Sequence, residues 1–245
     1  MKLISVDNLS VSFGAKPILK DISFDIEMGD ILAIIGPNGA GKTVLVRTML
    51  GLNKIFTGRV VWHSRPETSY VPQKINFEKN FPLTVKEFFL LELGRGNSFW
   101  FPSQKSLTEI KSKLAEVRAE HLLNFRLCDL SQGEMQRILI ARSLLENPQI
   151  VFFDEPASGI DIGAEETVYT LLHSLHKKNN LTMVLISHEI DIVYRFATKV
   201  ICLNKEMICQ GAPQEVLTTE SLQSVFGHHT GIYKHGHDLN IHDHN

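Results

Sequence analysis

The stretch GPNGAGKT, residues 36–43, gathers the residue types that can hold a triphosphate. It fits G-x-x-x-x-G-K-[ST] without a mismatch. It follows a wholly apolar run, ILAIIG, and precedes a helical pattern. Gly36, Pro37, Asn38, Gly39, Ala40 and Gly41 make the loop. Its glycines would let backbone N–H groups turn inward around phosphate oxygens, and the helix start adds partial positive charge. Lys42 would reach the β- and γ-phosphates, and Thr43 would offer its hydroxyl to Mg²⁺. A second chemical stretch is IVFFDE, residues 150–155. Asp154 ends a buried-type strand and suits a magnesium ligand. Glu155 points the other way if the strand pleat continues, and there it could orient or deprotonate an attacking water.

The third stretch is LSQGEMQR, residues 130–137. A glycine-containing turn at a helix start is another anion site, with Ser131 Oγ and the Gly133 N–H as the grips. One chain does not need two grips for one γ-phosphate. The second makes sense if it faces a neighbour's nucleotide.

These residues need elements to position them. KLISVDNLSVSF and ILKDISFDIEMGD read as strands, with Gly29 and Asp30 turning the second. Residues 31–36 read as a strand buried on both faces, followed by a helix from Lys42 to about Leu50. Short strands are expected over 57–62 and 68–72. Thr84 with Glu87, and Ser106 with Glu109, have capping-box spacing ahead of helices. A third helix is expected from about Gln132 to Glu146, ending before Asn147-Pro148. Residues of about 80–146 thus form a helical insertion. The α/β pattern then returns. QIVFFDE and TMVLISH read as buried strands around a helix over 164–178, and KVICLN and EMICQG read as a hairpin turning at Asn204-Lys205.

In order and spacing, Gly36–Thr43, Gln73, Leu130–Arg137, Asp154–Glu155 and His188 resemble the ATP-binding subunits of ABC transporters over about residues 1–226. The resemblance implies an α/β fold: a P-loop NTPase core with a mixed sheet and an antiparallel β subdomain, plus a helical signature subdomain. It implies a head-to-tail homodimer that sandwiches two ATP. Lys42, Gln73, Glu155 and His188 would be its catalytic residues. Phe13 would stack on adenine, and Gly36, Pro37, Asn38, Gly39, Ala40, Gly41, Lys42 and Thr43 would hold the phosphates. Ser131, Gly133, Glu134 and Asp161 (in SGID) would reach the ATP of the opposite subunit, and Thr43, Gln73 and Asp154 would hold Mg²⁺. The sequence departs from the family pattern in LSQGE, where Gln132 replaces the usual first glycine and Glu134 the usual glutamine, and in Thr43-Val44, which replaces the commoner Ser-Thr.

A finer resemblance, to the ATPases of bacterial zinc importers, is carried by YVPQKINFEKNFPLTV, by Glu134, by CLNKEMICQG and by GIYKHGHDL. It implies membrane permease subunits and a periplasmic metal-binding protein as partners, and a peripheral place on the cytoplasmic face of the inner membrane. The rivals are the ATPase of a manganese or iron importer and a soluble ABC ATPase that works on nucleic acid or ribosomes. The second rival, and nucleic acid generally, sits poorly with the charge balance of 25 basic and 27 acidic residues.

No uncharged apolar run approaches the ~20 residues that cross a bilayer, and MKLISVDNLS has no signal-peptide core. Three cysteines, Cys128, Cys202 and Cys209, are too few for a disulfide framework and read as free thiols. His173 and His176 sit at i, i+3 on a helix and read as a solvated face rather than a chelate. Residues 227–245 are rich in histidine and poor in apolar side chains, and are expected not to order by themselves. His228, His229, His235, His237, His242 and His244 would there bind Zn²⁺ weakly and unselectively, or do nothing.

Overall fold

The computed structural model describes residues 1–73, 82–93, 103–160 and 162–227, with 162–165 as backbone only. Strands β1 (Lys2–Phe13), β2 (Lys16–Glu27) and β4 (Thr57–Trp62) make a three-stranded antiparallel sheet in the order β2-β1-β4. A second sheet runs β5-β6-β7-β3-β8-β9. Its strands are β3 (Ile31–Ile35), β5 (Thr68–Val71), β6 (Ile150–Asp154), β7 (Thr182–Ile186), β8 (Lys199–Asn204) and β9 (Glu206–Gly211). All neighbours in it pair in parallel except β8 and β9.

Every residue of β3, β6 and β7 is buried. That is the expected result for apolar runs covered on both faces. Alternate residues of one strand therefore feed different cores. Ile150 and Phe152 join a cluster with β1, β2 and helix α1 (Lys42–Met49), whose Leu45, Val46 and Met49 face the sheet. Val151 and Phe153 join the cluster on the other face. That cluster includes residues of helices α2 (Val85–Glu92), α3 (Gln104–Glu116), α4 (Gln132–Ser143) and α5 (Ile162–Asn179). Helices α6 (Ile190–Phe196), α7 (Pro213–Val216) and α8 (Thr219–Phe226) cover Ala33, Ile35, Val200 and Cys202 near the β8–β9 hairpin.

Several local expectations shift. Thr84 and Glu87 form the capping box of α2. The next helix starts earlier than its Ser106 signal suggests. Ser103 is the N-cap, and its hydroxyl accepts from the Ser106 N–H at 3.1 Å. The β8–β9 turn is tighter than two residues: Asn204 pairs with Glu206, and Lys205 alone makes the corner at φ 61°. Cys202 and Cys209 stand directly opposite across that ladder and are joined as a disulfide, which corrects their reading as free thiols. His173 and His176 are also not simply solvated. The His173 ring lies 5.2 Å from that of Phe196 in α6, and His176 Nδ1 sits 2.8 Å from the Leu181 carbonyl.

Candidate functional site

The parallel sheet delivers the C-terminal ends of β3, β6 and β7 to one edge, and the chemical residues leave the sheet there. Gly36, Pro37, Asn38, Gly39, Ala40 and Gly41 bridge β3 and α1. Gly36 must be glycine because a Cβ there would stand 2.0 Å from the Leu203 carbonyl oxygen of β8. Gly39 and Gly41 are needed for their backbone angles, φ 79° and 99°, which L side chains rarely adopt. The space beside Gly39 is open and the residue lines the cleft described below, so nothing of the protein stands between its backbone and a ligand. Gly41 caps α1. The first turn of α1 carries no acidic residue, so its N-terminal positive end is left for an anion. Exchange of Gly36 for alanine should destabilise the chain by about 2–4 kcal/mol, because the β8 backbone has no slack to yield. The expected readout is a melting temperature lower by roughly 5–15 °C together with lost ATP binding; an unchanged melt would show that the loop re-forms around the methyl.

Lys42 lies almost entirely buried beneath this loop. Its ammonium donates to the carbonyls of Gly36 (2.9 Å) and Pro37 (3.1 Å). Burial pulls its pKa below the ordinary lysine value, and the carboxylates of Glu155 and Asp154 oppose that pull. Asp154 ends β6 and is 4% exposed. Its Oδ1 accepts from Thr43 Oγ1 at 3.2 Å and its Oδ2 from the Tyr70 hydroxyl at 3.1 Å. Burial pushes the Asp154 carboxyl up, and the two hydroxyl donors push it back down. The Tyr70 phenol is raised to about 12, by burial first and then by the carboxylate beside it.

Glu155 reaches the cleft by a route that strand alternation does not give. The pleat stops at Asp154. Glu155 takes φ 50°, and its N–H donates across the sheet to the Ile186 carbonyl of β7 at 3.1 Å. A non-glycine residue held in that region marks a constraint imposed by its surroundings. Its carboxylate then meets Gln73 and His188: the Gln73 amide donates to Oε2, and His188 Nε2 lies 2.7 Å from Oε1. Gln73 Nε2 also donates to Ser158 Oγ at 3.3 Å. Gln73, Glu155 and His188 share with Asn38–Val44 the lining of a cleft of about 840 Å³. Lys16, Ile18, Ser158 and Lys205 also line it. Phe13 stands at the end of β1, half exposed and outside this lining.

Ser131, Gly133 and Glu134 sit apart from the cleft, at the start of α4. Ser131 caps the helix in a reciprocal box: the Glu134 N–H donates to Ser131 Oγ at 3.3 Å, while the Ser131 N–H and hydroxyl donate to Glu134 Oε2 at 2.9 and 2.7 Å. These donors hold the Glu134 carboxyl below its ordinary value. The turn is exposed at Ser131 and Gln132, and the space beside Gly133 is open. The Gln132 side chain lies instead against Gly159. Asp161, residues 74–81 and the tail histidines lie outside the described residues. Sequence reasoning misses Tyr70, Ser158, Lys16, Ile18 and Lys205. Tyr70 does carry a signal, since it lies in a strand pattern shortly before Gln73. Lys205 reaches the loop only through the hairpin corner, where its N–H donates to the Ala40 carbonyl at 3.0 Å.

A glycine loop at a strand–helix junction, a buried lysine beneath it, and a hydroxyl against a strand-end carboxylate define a P-loop nucleoside triphosphatase. Within that class, the ABC transporter family model matches residues 19–158, and the chain belongs to this family. It is an ATP-binding, ATP-hydrolysing subunit. It is 38% identical, over 96% of its length and 99% of the relative's, to the zinc import ATP-binding protein ZnuC of Wigglesworthia glossinidia brevipalpis. It is 37% identical to ZnuC of Photorhabdus laumondii, over 96% of this chain and 90% of the relative. Among solved structures, it superposes with a TM-score of 0.81 and 30% identity on one described as an inward-facing conformation of a metal-chelate type ABC transporter, covering 91% of this chain and 88% of that one. It also superposes with a TM-score of 0.80 and 25% identity on the ADP conformation of MJ1267, an ATP-binding cassette of an ABC transporter, covering 92% and 98%. Among the described residues no helix is long and apolar enough to cross a membrane.

Proposed function

We propose that the chain powers a separate membrane permease that imports zinc. The reading is carried by near full-length similarity to proteins named as zinc import ATP-binding proteins. On this reading the subunit is peripheral, on the cytoplasmic face of the inner membrane, and a periplasmic metal-binding protein feeds the permease. Two copies pair head to tail, so that the Ser131–Glu134 turn of each closes on the nucleotide of the other. Support comes from the geometry: the turn is exposed and lies outside the chain's own cleft, while its helix start and the open space beside Gly133 suit a phosphate.

Thr43, Asp154 and Gln73 would hold Mg²⁺. Their oxygen donors are of the hard type that this ion takes, and Asp154 Oδ1 already stands 3.2 Å from Oγ1 of Thr43, which lines the cleft. Mg²⁺ supplies charge neutralisation on the β- and γ-phosphate oxygens. Lys42 exchanges its two carbonyl partners for phosphate oxygens, and the open backbone of Asn38, Gly39 and Ala40 wraps the same group. Glu155, released from Gln73, accepts a proton from the attacking water, while His188 donates to the γ-phosphate. Phe13 would pack on the adenine at the open end of the cleft. The tail histidines would bind Zn²⁺ weakly, outside the ATP machinery.

The test is metal uptake in a strain that lacks this gene, with zinc, manganese and iron compared. Zinc uptake should fall and return with the native chain, but not with Lys42→Ala. A defect confined to manganese or iron would replace the zinc reading with the rival importer, and unchanged uptake of all three would end the transport reading.

A further inference from the structure

Tyr70 has no part in the scheme above, yet among the described residues it makes one of the two side-chain hydrogen bonds to Asp154. Its position explains how. Strand β5 borders β6 in parallel, and Tyr70 pairs in register with Phe152. Phe152 and Asp154 are two residues apart on β6 and therefore project from one face. The phenol lies along that face, against the same cluster that holds Phe152, and its hydroxyl spans the two-residue offset to Asp154 Oδ2. Oδ1 is left turned to Thr43 Oγ1. A shorter donor in β5 would not reach, and phenylalanine would reach without donating.

We infer that Tyr70 is a positioning residue for the magnesium carboxylate: it pins Oδ2 of Asp154 so that Oδ1 faces Thr43 and the cleft. Without this hydroxyl the carboxylate keeps Thr43 as its side-chain donor and can rotate about χ2, so its approach to the ion is no longer fixed in advance. The inference rests on the proposed Mg²⁺ site and adds a residue behind it. Charge-assisted hydrogen bonds of this kind are among the stronger ones.

The test is equilibrium binding of a fluorescent, non-hydrolysable ATP analogue to the full chain, with and without Mg²⁺, for the native chain, Tyr70→Phe, Asp154→Asn and the double variant. Thermal melts confirm that each variant is folded. The native chain should bind more tightly with Mg²⁺. In Tyr70→Phe that gain should shrink roughly tenfold, with Mg²⁺-free affinity unchanged. On the Asp154→Asn background the same change should have no further effect. An undiminished gain in Tyr70→Phe would reduce Tyr70 to packing, and so would an equal loss with and without the ion. If Asp154→Asn itself kept the full gain, the magnesium assignment would fail, and the role of Tyr70 with it; these outcomes are distinct.

Discussion

A Glu155→Gln chain binds ATP as the native chain does and hydrolyses it roughly 10²–10⁴-fold more slowly. The substitution keeps the size and planarity of the side chain, so the left-handed corner and the cleft wall are preserved. What is lost is the proton acceptor. In the native site both carboxylate oxygens are already engaged, one with Gln73 and one with His188, so Glu155 is held at the cleft mouth before nucleotide arrives. The amide introduced by the substitution fills the same space but cannot take a proton from water. On the proposed head-to-tail pairing, phosphoryl transfer should then stall after two copies close, and ATP-bound dimers should accumulate. Steady-state phosphate release and size-exclusion chromatography in ATP give the two readouts. Native turnover in a clean preparation would remove Glu155 from the role of catalytic base.

Ser131→Arg acts by a different route and should be nearly as severe. Ser131 lies outside the cleft, and its structural work is to cap α4. Loss of that cap costs about 1 kcal/mol, too little to unfold a chain with cores on both sheet faces. ATP binding to the single copy should therefore be unchanged, because Lys42, Thr43 and the glycine loop are intact. Hydrolysis should fall by roughly 10²-fold or more, since on the proposed head-to-tail pairing the arginine obstructs the face that would close on the neighbour's γ-phosphate. Retention of native hydrolysis would show that the α4 turn does not complete any site.

The parts of the site that could be read directly are local. The glycine loop, Lys42, Thr43 and Asp154 follow from a buried strand running into a turn, and each is specified within a few residues. The capping box at Thr84 is likewise local, although the same logic misplaces the start of α3 because Ser103 lies upstream of Ser106 and wins the cap. What could not be read depends on contacts across the sheet. Glu155 turns into the cleft because Ile186 of β7 accepts its N–H, and no rule of strand alternation contains that partner. Tyr70 matters because register sets it beside Phe152. Lys205 is placed by a hairpin corner one residue tighter than the turn expected, and the Cys202–Cys209 pair by a register shift in the ladder between Cys202 and Leu203. The departure at Gln132 also gains a physical meaning only in three dimensions, where its side chain covers Gly159. The histidine-rich end, from His228 onward, carries no apolar pattern from which packing could be argued.

The central claim is that each ATP is held by the glycine loop of one copy and the α4 turn of another. Mixing two inactive chains tests it most directly. Ser131→Arg and Lys42→Ala subunits are purified, combined and assayed for ATP hydrolysis against each variant alone. In a mixed dimer, one composite site pairs an intact Lys42 loop with an intact Ser131 turn, while the other carries both defects. The mixture should therefore regain activity that neither variant shows by itself, up to about a quarter of the native rate if subunits exchange at random and the two sites act independently. If the mixture forms dimers and stays as inactive as its components, the two motifs do not meet across the interface, and the shared-site account is wrong.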